Sequence, residues 1–287
     1  MKKNFFCILI CVFVLASTCS CHTQTDSLSA ELNQIYEVIS PSYSHLGVQF
    51  DHSNIISSEK TYTIDASATR EVQKVICGSE LTFEYEKTVT SGVSRKSSLI
   101  YTVNGDKEKK LYITSEGKLS KIAFDFAVID MPEDGDTEKI RTLVEEKIHD
   151  LIDVSAYANT EIDTSDSGFG LSYFNSVGGC VTDWMRVYVN KYGELAVLTV
   201  GGVSIDLDDF TIDEVKVERL INAKCSAVYN TDNTEYVSYT ETPRRGIVVR
   251  DGVTYVGFAV YATYRMDGRE LSDFTIRIMI PLDMVKA

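Results

Sequence analysis

The sequence has little of what common catalytic and metal sites are built from. It holds four histidines in 287 residues, and none stands in a His-Glu-x-x-His pattern, so the two-histidine helix of a zinc peptidase is absent. No Gly-x-Ser-x-Gly elbow occurs, which removes the usual serine nucleophile turn. Positive charge is scarce: 28 Lys and Arg stand against 42 Asp and Glu, a formal net charge of −14 at pH 7. Such a surface repels phosphate backbones and excludes nucleic acid as a partner. Four prolines leave no proline-rich linker. The apolar run from Phe5 to Ala16 is shorter than the roughly 20 residues a spanning helix needs, and no later run comes closer. Beyond the first 21 residues only Cys77, Cys180 and Cys225 remain, an odd set that makes no disulfide framework. Cys225 falls on the apolar face of an expected helix, where a buried thiol is the ordinary outcome.

What is present begins with the leader. Lys2 and Lys3 precede the apolar run, and Ser17-Thr18-Cys19-Ser20-Cys21 follows it. A positive start, a short apolar core and small residues at the cut describe a secretion signal. The cysteines resemble the lipobox of bacterial lipoproteins, in which a small residue precedes a cysteine whose thiol takes a diacylglycerol. Ser20 before Cys21 makes Cys21 the expected lipidation site, with Cys19 the second choice. The resemblance places the protein on the outer face of the bacterial cell membrane, or free outside the cell if unlipidated.

Along the rest of the chain, Leu28, Leu32, Ile35, Tyr36 and Ile39 recur at helical spacing until Pro41. Alternating strands follow at Leu81 to Glu86 and Ile100 to Val103, with a turn signal at Asn104-Gly105. A pattern then repeats. The strand–turn–strand from Leu111 through Gly117 to Leu119 matches that from Val187 through Gly193 to Leu195. A helical face follows each: Ile140, Leu143, Val144, Ile148 and Leu151, then Val217, Leu220, Ile221, Cys225 and Val228. Asp136 caps the first helix, and Thr211 with Glu214 makes a capping box for the second. Further strands turn at Asp251-Gly252 and Asp267-Gly268 and end at Pro281. The expected organisation is a signal peptide at 1–20, a tether and helix at 21–57, and α+β units at 58–155 and 156–287.

On these hairpins and helices the chain resembles the PepSY and YcdB-type repeat proteins of bacterial envelopes. The resemblance implies an α+β fold of two tandem units, each a twisted antiparallel sheet covered by a helix, PepSY-like or cystatin-like. It also implies a non-enzymatic role, such as holding a peptidase or binding an envelope component. An envelope protein or peptide is then the class of partner, with the membrane reached through the lipid anchor. It carries over no site residue and no cofactor.

Candidate chemistry is thin. Asp163 to Gly168 opens like a calcium loop, but Phe174 stands where the bidentate Glu belongs, so it reads as an acidic loop. A Cys180–His52 couple would need an encounter across space. Asp206, Asp208 and Asp209, and Glu133, Asp134 and Asp136, precede the two helices, where carboxylates suit the helix start. A hydrolase working through Asp206, Asp208 or Asp209 is the alternative from another class, and a structural envelope component is the third. Trp184, Tyr101, Tyr112, Tyr188, Tyr255, Tyr261 and Tyr264 fall in expected strands. Core packing is their default, and an exposed sheet face would suit peptide or glycan binding. Arg244-Arg245 after Pro243 reads as a solvated turn. No catalytic, metal or cofactor residue is assigned.

Overall fold

The computed structural model describes residues 28–39, 55–104, 106–203, 207–230 and 232–287. A helical turn, α1 (residues 28–32), leads to β1 (Tyr36–Ile39), β2 (Ile55–Ser57) and β3 (Thr61–Thr63). β4 (Glu71–Ile76), β5 (Ser79–Thr90), β6 (Ser97–Val103), β7 (Asp106–Thr114) and β8 (Leu119–Val128) form an antiparallel meander that ends in α2 (Thr137–Ile148). β9 (Asn159–Ser165), β10 (Gly168–Val177), β11 (Cys180–Asn190) and β12 (Glu194–Gly202) form a second, followed by α3 (Glu214–Tyr229). β13 (Thr234–Arg250), β14 (Val253–Met266) and β15 (Arg269–Pro281) complete the strands before α4 (Leu282–Val285).

All fifteen strands belong to one sheet, in the order β2-β1-β15-β14-β13-β11-β12-β8-β7-β6-β5-β3, with β10 and β9 beside β11 and β4 beside β5. The two-unit α+β expectation is therefore overturned: the chain is mainly β, and the described strands form one sheet rather than two. The PepSY-like architecture goes with it. The reason lies in one nonlocal pairing. β12 adds antiparallel to β8, so the edge of the first hairpin is the partner of the second. An unpaired edge is a row of unsatisfied backbone groups, and pairing the two hairpins removes both edges at once.

The strand order also curls. β2 and β3 stand at its two ends, yet only residues 58–60 separate them. That link spans at most about 15 Å, so the ends meet. The loop between β5 and β6 lies across the closure, where Arg250 donates from Nη1 to the carbonyls of Gly92 (2.7 Å) and Val93 (2.6 Å).

Local sequence explains many of the elements. Asp251 (φ 51°) with Gly252 (φ 80°), and Asp267 (φ 51°) with Gly268 (φ 73°), make two-residue turns whose left-handed backbone matches strand twist. Asp136 caps α2 by accepting from the amides of Glu138 and Lys139. The capping box expected at Thr211 and Glu214 is not used. Thr211 accepts from the amide of Ala287, and the amide of Asp213 donates to Val285, so this segment is held extended against the C-terminus. Asp213 becomes the cap instead, accepting from the amide of Lys216. The helix expected to run to Ile39 stops at residue 32. β-Branched Ile35 and Val38 find burial beside β15, which outweighs their helical spacing. Pro41 and Gly105 lie outside the described residues.

Two large cores form. Ile140, Val144 and Ile148 of α2 pack with Phe83, Ile122, Leu171, Met185, Val187 and Val189. Val217, Leu220, Ile221, Cys225 and Val228 of α3 pack with Ile247, Val256, Phe258, Val260, Ile278 and Ile280. Each fully buried Leu, Ile or Val contributes about 1.5–3 kcal/mol.

Candidate functional site

The two helices cover the same face of the sheet. Met185, Val187 and Val189 of β11 enter the α2 core, so their alternates Trp184, Arg186 and Tyr188 point to the other face. Beyond the register shift between Val181 and Trp184, Cys180 lies on the Met185 side; it pairs with Arg245 of β13 and belongs to the α3 core. Both helices thus lie on the Met185 side, and among the described residues no helix stands over the Trp184 side of β11, β12, β8 and β7.

Register places the side chains of the open region in rows. One row runs Ile100, Tyr112, Lys121, Thr199, Arg186. The next runs Thr102, Lys110, Ala123, Val197, Tyr188. Gly201 and Trp184 begin a third on the other side. Lys121 Nζ sits 5.6 Å from the centre of the Tyr112 ring and has no carboxylate partner among the described residues. Burial raises the Tyr112 hydroxyl above its ordinary range, so it stays neutral. Lys110 reaches Glu86 on β5 at 3.9 Å, and Arg186 reaches Asp163 on β9 at 3.1 Å.

The side chains of this face lie flat. A Cβ on Gly201 would come within 2.5 Å of the Trp184 ring, and one on Gly170 within 2.6 Å of the Arg186 guanidinium. The two glycines leave the room in which the indole and the guanidinium rest. Trp184 keeps 36% of its surface exposed and is the one tryptophan of the chain. The arrangement offers aromatic faces and cations to a ligand and holds no positioned acid–base pair.

A second polar cluster stands where β11 leaves β12 for β13. Arg245 grips Glu214 (2.7 and 2.8 Å) and Glu241 (2.6 and 3.1 Å), each through two hydrogen bonds, with Phe258 5.2 Å beneath. These residues, Gly179 and Thr242 line a cleft of about 360 Å³. The hydrogen bonds to both carboxylates raise the Arg245 pKa further. Burial pushes the thiol of neighbouring Cys180 up to about 11, so it is no ready nucleophile. The solvated turn expected at Arg244-Arg245 is instead a bulged stretch of β13 that ties the first turn of α3 to the sheet, and Arg244 pairs with Glu161.

A third polar feature lies in the α3 core. Glu37 on β1 is 1% exposed, and neither carboxyl oxygen has a hydrogen-bond partner. Burial pushes its pKa up to about 7, against a downward pull from Lys224. Lys224 is 4% exposed, and burial lowers its pKa while Glu37 raises it.

The remaining sequence candidates do not converge. Cys19, Cys21, His22, His45, His52 and Asp206 lie outside the described residues. Asp208 and Asp209 are exposed. Asp134 pairs with Lys139 at 2.7 Å, and Asp136 is the cap of α2. The acidic loop expected at Asp163 to Gly168 is the turn of the β9–β10 hairpin. His149 is exposed beside Asp150. Cys77, Cys180 and Cys225 are free thiols, Cys225 buried. Among the described residues no group of His, Cys, Asp and Glu could hold a metal ion, and no helix is long and apolar enough to cross a membrane.

Sequence reasoning singled out Trp184, Tyr112 and Tyr188 but missed Lys121, Lys110 and Arg186. Alternation along β11 marks its outward residues, but joining them to Lys121 requires the β8–β12 register. No family model, no curated protein and no solved structure matches this chain.

Proposed function

We propose that the chain is an exported, lipid-anchored, non-enzymatic binding or accessory protein of the bacterial envelope, and that it holds its ligand on the open sheet face. The exposed Trp184 indole, with Lys121 beside Tyr112 on the same face and free of any carboxylate partner among the described residues, carries this reading. The leader from Lys2 to Cys21 supports export and anchoring, and the polar stretch from His22 to Asp26 gives a short tether. Several acyl chains hold far more firmly than one, since each buried CH₂ adds about 0.8 kcal/mol.

Affinity capture from gently solubilised native membranes tests both parts. The expected result is recovery in the membrane fraction, loss of that fraction in Cys21→Ala, and a co-captured envelope component that Trp184→Ala and Lys121→Ala no longer retain. Recovery of the unaltered protein in the soluble fraction would sink the anchor. Unchanged co-capture by Trp184→Ala and Lys121→Ala would sink the face. Membrane retention of Cys21→Ala with lipid still attached moves the modification to Cys19.

A further inference from the structure

The geometry points to β1 as a proton-controlled strap, docked on β15 while the buried Glu37 is neutral and lifted from it more readily once Glu37 is ionised. β1 is four residues long and carries buried side chains on both faces. Val38 enters a small third core with Ile56, Tyr255 and Met279, and Tyr36 meets the Tyr255 ring edge-on at 5.7 Å. Glu37 alternates to the opposite side, into the α3 core. In register it stands between Ile278 of β15 and Ile55 of β2. A strand buried on both faces ordinarily carries an apolar residue at such a position.

Among the described residues, Glu37 and Lys224 are the only charged side chains that are buried, and each feels the charge of the other. The other groups around Glu37 are few. α3 presents the thiol of Cys225 beside Lys224, pushed up to about 12 by burial, with Glu37 adding to the rise. β15 presents Ile278, with Ile280 on the same side. Glu31 of α1 is taken up at the surface by Arg219 of α3 at 2.8 Å. Asp283 of α4 and the following Lys286 are exposed, as is Arg277, which pairs with Val38. No hydrogen-bond donor reaches either Glu37 oxygen.

A neutral carboxyl in this place loses its water, and an ionised one loses far more. Lys224 offsets part of that cost, but burial outweighs it and holds the folded pKa near 7. Lifting β1 returns the carboxylate to water. Little backbone pairing resists: β1 meets β15 only from Tyr36 to Val38, whereas β14 meets β15 along its whole length. β1 and the equally short β2 also end the strand order on this side. Such short terminal elements open locally before the whole fold does.

Hydrogen exchange of the full chain, read by mass spectrometry over residues 35–39, tests the strap. Parent and Glu37→Gln are compared at each pH from 5 to 8, so that the intrinsic pH dependence of exchange cancels. With a pKa of about 7 when docked and 4.5 when lifted, the parent-to-variant ratio of opening should rise roughly seventyfold over this range. The same ratio for β13 and β14 should stay level. Maleimide modification should follow the strap at Cys225, which faces Glu37, and not at Cys180, which lies beside Arg245. Lys224→Met removes the charge that offsets ionised Glu37, so exchange over 35–39 should exceed the parent's at pH 8 and not at pH 5. A level ratio over 35–39 would remove Glu37 as the control. A rise shared equally by β13, β14 and Cys180 would mean that the whole molecule opens, and would overturn the strap.

Discussion

The α2 and α3 regions follow the same recipe, a hairpin with a glycine turn and then a helix with a five-point apolar face, and they end in different chemistry. Around α2 the core is apolar, and the charged residues of the helix stay at the surface in pairs such as Arg141–Glu138 at 2.7 Å. Around α3 the core holds Lys224 opposite Glu37, and an arginine with two carboxylates fastens the helix start. The difference follows from which strands each helix covers. α2 sits over a face supplied by consecutive strands. α3 sits over β13 to β15 and β1, where strands from the two ends of the chain meet. The shared pattern specifies a helix on a sheet and leaves open which strands it covers, and how polar the interface is.

The comparison is broken most forcefully by emptying each core in turn. Ile140→Ala and Leu220→Ala should each cost about 3 kcal/mol in urea unfolding. If the curled sheet makes the two cores one cooperative unit, both variants unfold in a single transition seen by far-ultraviolet dichroism and Trp184 fluorescence alike. Two separate transitions would show that the halves melt independently.

The next effect sharpens the polar contrast. The Glu37 carboxyl has a folded pKa of about 7 against an ordinary 4.5. The folded state therefore binds the proton more tightly. Its contribution to stability is complete below pH 4.5 and lost as pH rises through 7, by about 3 kcal/mol in all. Glu37→Gln should abolish this decline, so that at pH 8 the variant resists urea better than the parent and at pH 5 differs little. An equal slope in both proteins would remove Glu37 as its source. Lys224, whose pKa is lowered, works with the opposite slope at alkaline pH.

Much of this molecule can be read from local sequence, and the boundary is physical. The Asp-Gly turns at 251 and 267, the alternation along β11 and the apolar faces of α2 and α3 each need only a few neighbours. β1 was out of reach because Leu28, Leu32, Ile35 and Ile39 satisfy a helix equally well, and β15, which decides the matter, lies at the other end of the chain. The β8–β12 pairing and the Arg245 clamp are likewise nonlocal. The open face was half legible: the aromatics stood out, but the row that holds Tyr112, Lys121 and Arg186 exists only once register aligns the strands.

Two smaller effects refine the contrast. Gly201→Ala should displace the Trp184 indole, shift its fluorescence and cost about 1–3 kcal/mol, a typical figure for overpacking. No such change is expected from Gly117→Ala beyond the strain of its turn, since nothing lies within 4 Å of a Cβ there. Asp136→Ala should cost about 1 kcal/mol through its lost cap, and thermal melting would show whether Asp213→Ala, at the more firmly tied helix, costs the same.

The meeting of β1 with β15 also sets an order of events. A ribosome, or a pore that passes the chain from its N-terminus, delivers β1 first and its partner last. The meander of β4 to β8 can assemble from near neighbours while synthesis continues. The ring of strands cannot shut until almost every residue is present, and closing such long loops is slow. Throughout that wait β1 stands without the antiparallel partner that buries it.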